Sequence, residues 1–194
     1  LAMEKVLSST WKEAFQYGLS EGSPELRGAI CQLLSGRGIH CGVDDVVVTS
    51  GSQQSLDILA RALINPGDIV VVERPTYLAA LQVLQLAEAN LMSVGTDGEG
   101  MIIDELEALV KTTRVKAVYI VPTFGNPGGV TLAEQRRKQL VELSQRYDFV
   151  IIEDDPYGEI NFTDQTFTPL KAWAAEIGCG DNVIYTSTFS KILA

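Results

Sequence analysis

Six short runs dominate the sequence: Val46 to Thr49, Ile69 to Val72, Leu91 to Val94, Val115 to Val121, Phe149 to Ile152, and Val183 to Thr186. Each is rich in β-branched residues and apolar almost throughout rather than at alternate positions. A strand with one wet face reads as an alternation, so continuous apolarity predicts strands covered on both faces. Between most of the runs the spacing is helical; Leu56, Leu59, Ala60, Leu63 and Ile64, for instance, fall on one stripe at i, i+3, i+4, i+7 and i+8. Strand and helix in alternation predict an α/β fold: a mostly parallel sheet with helices on both faces, three layers in all.

The boundaries of the helices are also written locally. Asp104 with Glu107, and Thr131 with Glu134, have the spacing of capping boxes and predict helix starts. Ser23-Pro24 predicts another, and Asn65-Pro66-Gly67-Asp68 reads as a turn. Residues 1–40 contain helical patterns and no strand, so a helical flank is expected there, with residues 41–194 forming the α/β unit. No internal repeat or linker interrupts them. The chain opens at Leu1 without an initiator Met and closes on Ser190-Lys191-Ile192-Leu193-Ala194 without a stop signal, which suggests a piece of something longer.

Composition narrows the function classes. With 46% apolar and 21% charged residues, the 194 residues suit one globular domain and exclude disordered, collagenous and low-complexity readings. Fifteen Lys and Arg against twenty-five Asp and Glu leave a net charge of −10, which argues against nucleic acid or an anionic membrane as the direct partner. Cys31, Cys41 and Cys179 are too few and too irregular for a disulfide framework, and with a single His no metal site is expected. The apolar stretches fall well short of the ~20 residues that cross a bilayer, and no basic segment followed by an apolar one opens the chain. A reducing, cytoplasmic setting is the expectation.

In open α/β sheets ligands sit at the carboxyl ends of the strands, so the residues that follow each run are the candidates for chemistry. After the first run, Ser50-Gly51-Ser52-Gln53-Gln54 opens into the Leu56 helix; it offers an anion cradle at a helix N-terminus, and also serves as plain capping. Tyr77 follows the second run in Glu73-Arg74-Pro75-Thr76-Tyr77, as a rim residue or as a flat face for a ring. Asn126 follows the fourth, in a turn that either leads into the next helix or aims the amide into the cleft. Glu153-Asp154-Asp155-Pro156-Tyr157 ends the fifth run. Burying a carboxylate costs several kcal/mol unless it is paired, so adjacent acids there call for a cation, a set of donors, or a solvated turn. The sixth run leads to Thr186-Ser187-Thr188-Phe189-Ser190-Lys191, where the lysine is either solvated or a desolvated amine able to form a Schiff base. Anion cradle, flat ring, carboxylate, donors and amine together match the needs of a phosphorylated pyridine aldehyde.

With these stretches the chain resembles the class I/II, fold-type I pyridoxal-phosphate aminotransferases, in the branch that holds aminoadipate and kynurenine aminotransferases and the aminotransferase-like domains of MocR regulators. The resemblance rests on Tyr17 to Arg27 (YGLSEGSPELR), Val47 to Leu56 (VVTSGSQQSL), Pro66 to Tyr77 (PGDIVVVERPTY), Pro122 to Gly129 (PTFGNPGG), Glu153 to Glu159 (EDDPYGE) and Ser187 to Lys191 (STFSK), in order over nearly the whole chain. It implies pyridoxal 5'-phosphate as cofactor, with Lys191 as the Schiff-base lysine that later moves the proton at the substrate Cα. Asp154 would pair with the pyridine nitrogen; Asn126 and Tyr157 would hydrogen-bond the phenolate oxygen and lower the Schiff-base pKa. Tyr77 would stack on the ring, Ser52, Gln53, Thr188 and Ser190 would hold the phosphate, and Tyr17 would reach the neighbouring site of a homodimer. The implied reaction moves an amino group from an amino acid to a 2-oxo acid. The same resemblance leaves open an effector-sensing domain of a MocR-type regulator and a β-lyase or decarboxylase of this fold.

It further implies that residues 41–194 are an incomplete cofactor domain, ending just after the lysine and lacking the small domain. The family's sheet has a further antiparallel strand between the first and sixth; without it both would show open edges. Gly125, Gly128 and Asp155-Pro156 depart from many relatives in loop shape. His40 is expected at a rim, Trp11 and Trp173 in packing, and Cys179 in a loop.

Overall fold

The computed structural model describes residues 2–162 and 165–193, and five of the six apolar runs form one sheet in it. The strands are β1 (Ile69–Arg74), β2 (Asn90–Asp97), β3 (Gly100–Met101), β4 (Val115–Ile120), β5 (Val150–Asp154) and β6 (Val183–Thr186). They lie in the order β3-β2-β1-β4-β5-β6, parallel throughout except for the short β2–β3 ladder. The helices are α1 (Ala2–Ser9), α2 (Trp11–Ala14), α3 (Pro24–Ser35), α4 (Ser52–Leu63), α5 (Leu78–Leu86), α6 (Ile103–Val110), α7 (Glu134–Tyr147) and α8 (Leu170–Glu176). Leu1 and Ala194, the two ends of the chain, lie outside the described residues.

Alternation along each strand divides the core in two. Val71, Val118, Ile120, Ile151 and Val183 join Leu106 of α6, Leu140 of α7 and Leu170 of α8 on one face. On the other, Val70, Val72, Ala117, Tyr119 and Ile152 join Leu56 and Ala60 of α4 and Val83 and Leu84 of α5. Coverage on both faces is what continuous apolarity requires of β1, β4 and β5. The predicted Leu56 stripe and the Asn65–Asp68 turn are both present; the Asn65 and Asp68 backbones close the turn at 3.0 Å, and Gly67 supplies the positive φ of 84°.

The first run does not form a strand. Val46 to Thr49 is extended, with Val47 60% exposed, and the Val48 N–H donates to Glu21 O rather than to a ladder. A strand exists through its neighbour, and among the described residues no strand pairs with this run or with the outer edge of β6.

Both expected capping boxes are also corrected. Helix α7 starts at Glu134 with Ala133 as its cap, because residues 131–133 are held extended: Leu132 N–H donates to Pro122 O, Ala133 N–H to Glu99 O, and Thr131 Oγ1 accepts from Phe124 N–H. Asp104 lies inside the first turn of α6, whose cap is Ile102; neighbouring Glu105 accepts from Gly95 N–H at 2.7 Å. Ser23, by contrast, caps α3 as expected, accepting from Leu26 N–H.

The two-residue strand β3 carried no sequence pattern. Its Gly100 has φ 92°, and a Cβ there would come within 2.9 Å of the Leu132 backbone, so the close approach of the two segments needs glycine. In the flank, Trp11 is half-exposed rather than packed, whereas Trp173 packs on the α6–α8 side with Lys138 4.1 Å from its ring centroid. His40 is exposed, as expected for a rim.

Candidate functional site

Five parallel strands present their carboxyl ends at one edge, and the turns that leave this edge carry the candidate residues. One strand in from the β6 edge stands Asp154, the last residue of β5 and 3% exposed. Oδ2 accepts from the Tyr119 hydroxyl at 2.8 Å and Oδ1 from Thr186 Oγ1 at 3.2 Å. Thr186 is its register partner on β6. Among the described residues no lysine, arginine or histidine forms an ion pair with Asp154. Burial therefore raises its proton affinity; the Tyr119 and Thr186 donors oppose that, and the neighbouring Asp155 charge adds to it. A buried carboxylate satisfied by hydroxyls alone is suited to a cationic N–H donor from outside the chain.

The adjacent acids call for an explanation, and each receives a different one. Glu153, on the opposite face of the strand, accepts the Leu170 and Lys171 N–H groups at 2.8 and 2.9 Å and so caps α8; burial nevertheless pushes its carboxyl up to about 7. Asp155 pairs with Arg37 at 2.7 Å and accepts from the Tyr185 hydroxyl at 3.1 Å. Arg37 also reaches Glu159 at 3.3 Å, so the flank is tied to the turn that holds Tyr157. That turn has no spare volume: a Cβ on Gly158 would meet Asp155 Oδ2 at 2.5 Å.

Thr186 continues into Ser187, whose hydroxyl donates to Asp155 O, and into a short 3-10 turn over Phe189–Lys191. Thr188 caps this turn, accepting from Ser190 N–H and donating to Ser190 Oγ at 3.0 Å. Lys191 is exposed at the rim and is not a desolvated amine. The segment leaves an edge strand whose outer edge pairs with no strand among the described residues.

On the α4–α5 side, Tyr77 packs against the apolar cluster that contains Tyr119, and it lies near enough to act on the Tyr119 hydroxyl electrostatically. Ser52 and Gln53 are the first two residues of α4, where backbone N–H groups have no acceptor within the helix. Gly51 turns the chain into that helix with φ 89°, and Gln54 Oε1 folds back onto Ser50 N–H. Asn126 is exposed on the turn after β4, and Tyr157 is half-buried. The turns leaving β1, β4, β5 and β6 at this edge thus carry Tyr77, Asn126, Tyr157, Thr188 and Lys191, while Ser52 opens α4, which packs on the same face of the sheet as Tyr119. Tyr17 is not gathered with them; it is fully exposed in the flank.

Three contributors escaped the sequence reading. Tyr119 carried a signal, a single hydroxyl in the otherwise apolar stretch Ala117 to Val121. Arg37 carried none, since its partners lie more than a hundred residues away. Glu73, at the end of β1, accepts from Val121 N–H at 3.3 Å, and burial pushes its carboxyl up to about 7.

A family model described as aminotransferase class I and II matches residues 2–194. The chain is 46% identical to aromatic-amino-acid aminotransferase 1 of Thermococcus litoralis over 98% of its own length and 46% of the relative's. It is 38% identical to the HTH-type transcriptional regulator YdcR of Escherichia coli, over 90% of this chain and 37% of that protein. Among solved structures, kynurenine aminotransferase of Pyrococcus horikoshii, in complex with PMP, superposes with a TM-score of 0.92 at 44% identity, covering 99% of this chain and 48% of that one. The chain spans about half the length of the curated relatives it matches, or less.

Proposed function

Since the chain belongs to the class I and II aminotransferase family, we propose that the protein containing it is a pyridoxal-phosphate-dependent aminotransferase, moving an amino group from an amino acid to a 2-oxo acid. The observation that carries this reading is Asp154: a buried carboxylate at a strand end, held by two hydroxyls and paired with no cation among the described residues. A protonated pyridine nitrogen is the donor such a group suits. When bound, the cofactor supplies an aldehyde carbon and a ring that withdraws electrons from the substrate Cα.

The remaining roles follow from position. Asp154 holds the proton on the ring nitrogen, and Tyr119 and Thr186 orient it. Lys191, whose exposed amine lies beyond β6, is the covalent anchor and the base that takes the proton from the substrate Cα. Asn126 and Tyr157 donate to the phenolate oxygen, and Tyr77 covers the ring face. Ser52 and Gln53 at the start of α4, with Thr188 and Ser190, take the phosphate, where helix N–H groups favour an anion. Tyr17 serves the site of a second copy in a homodimer, which accords with its full exposure here. A helical flank over residues 1–40, a cofactor unit over 41–194 and a cytoplasmic setting belong to the same proposal; no helix among the described residues is long and apolar enough to cross a membrane.

The similarity to a transcriptional regulator supports a second reading, in which the same cofactor site senses rather than turns over. One experiment separates the two. The full-length protein is loaded with pyridoxal phosphate, reduced with borohydride and mapped by mass spectrometry, then assayed unreduced with glutamate for release of the oxo acid. Label on Lys191 with oxo-acid release supports the aminotransferase; label without release supports the sensor. Label on another lysine would refute the site.

A further inference from the structure

Arg137 is the largest fully buried side chain, 1% exposed, yet it faces no carboxylate at hydrogen-bond distance. Its guanidinium is spent on neutral acceptors. Nε donates to Leu132 O at 2.9 Å, Nη2 to Pro122 O at 2.7 Å and to Thr123 Oγ1 at 3.0 Å, and Nη1 to Thr168 O at 3.1 Å. The first three acceptors are the two ends of the loop between β4 and α7, which carries Asn126. The fourth lies at the far end of the connection between β5 and α8, which carries Tyr157. The same two connections touch once more, where Phe124 meets Phe167 edge-on at 5.8 Å with the guanidinium 5.8 Å from the Phe167 ring.

A charge buried among neutral oxygens is not explained by stability, because an apolar side chain of similar volume avoids the desolvation cost. What an apolar group lacks is the planar fork, whose donors fix the relative place of several acceptors at once. We propose that Arg137 is a positioning residue that sets the spacing of the Asn126 loop against the Tyr157 loop, so that both donors meet one acceptor atom of the ligand.

The proposal rests on the cofactor reading above, in which that atom is the phenolate oxygen. Donors there draw charge from the phenolate and keep low the pH at which the visible band of the bound cofactor titrates. Burial already lowers the proton affinity of Arg137, with Glu153 and Asp155 the strongest opposing charges, but its role here is geometric.

The test is a spectrophotometric pH titration of the full-length, cofactor-loaded protein and of its Asn126→Ala, Arg137→Lys, Arg137→Met and Phe167→Ala variants. Asn126→Ala is expected to raise the titration midpoint by about one pH unit. Arg137→Lys, which keeps the charge and loses the fork, is expected to raise it in the same direction and to add only the part of its shift that runs through Tyr157 in the double variant with Asn126→Ala. Should Arg137→Met fail to fold, Phe167→Ala loosens the same pair of loops without stripping the carbonyls of their donor, and a smaller upward shift is expected. A folded Arg137→Lys protein that titrates at the wild-type pH, or shifts that add in full with Asn126→Ala, would overturn the proposal alone. If Asn126→Ala leaves the midpoint unmoved, the placement of Asn126 falls first and this inference with it.

Discussion

Glu153, Asp154 and Asp155 are three consecutive carboxylates, each at most 3% exposed, and the strand separates them by turning them alternately to its two faces. One caps a helix, one meets two hydroxyls, and one pairs with Arg37, so no two of them share a donor. Glu73, at the end of β1, has weaker support than these three, a single backbone N–H at 3.3 Å. The unfolded chain releases this proton near 4.5 and the folded protein near 7. Between those values the folded state binds more protons, so the associated stability is complete below about 4.5 and is lost as pH rises through 7. Glu73→Gln keeps the acceptor for Val121 N–H and removes the titration. Chemical denaturation at pH 5 and pH 8 should show the variant gaining on the wild type by on the order of 2 kcal/mol over that interval. Parallel losses in the two proteins would contradict this.

The elements show where local patterns suffice. At Ser23 the serine precedes a proline that fits the first helical turn, nothing distant competes for its hydroxyl, and the cap forms as written. At Thr131 and Asp104 the spacing is equally good, but distant carbonyls at Pro122, Glu99 and Gly95 hold the preceding backbone in place and move the helix starts. The two cases differ measurably. Ser23→Ala should lower stability by about 1 kcal/mol, whereas Asp104→Ala should change it by less than about 0.5 kcal/mol, both read from urea unfolding midpoints. A cost at Asp104 equal to that at Ser23 would restore the capping-box reading.

Across the whole molecule, one sheet serves two cores. Leu140 is fully buried in the α6–α8 layer, and Leu140→Ala should lower stability by about 2–5 kcal/mol through the lost contacts and the cavity left behind. Because β1, β4 and β5 bear core residues on both faces, the loss should not stay in one layer. Far-UV circular dichroism and the fluorescence of Trp173 in that layer should report one transition at a shared, lowered midpoint. Two separated transitions would mean that the layers unfold independently.

By itself the sequence determined five of the strands, their alternation with helices, the parallel α/β class and the polar residues that follow the strand ends, because periodicity, turn chemistry and strand ends are encoded over a few neighbouring residues. Only the tertiary structure decided that Val46 to Thr49 stays unpaired, that Tyr119 orients Asp154, that Arg37 neutralises Asp155 and that Arg137 joins two loops. A ladder, a buried ion pair and a shared donor each need a partner brought from far along the chain. No local pattern records which distant partner arrives.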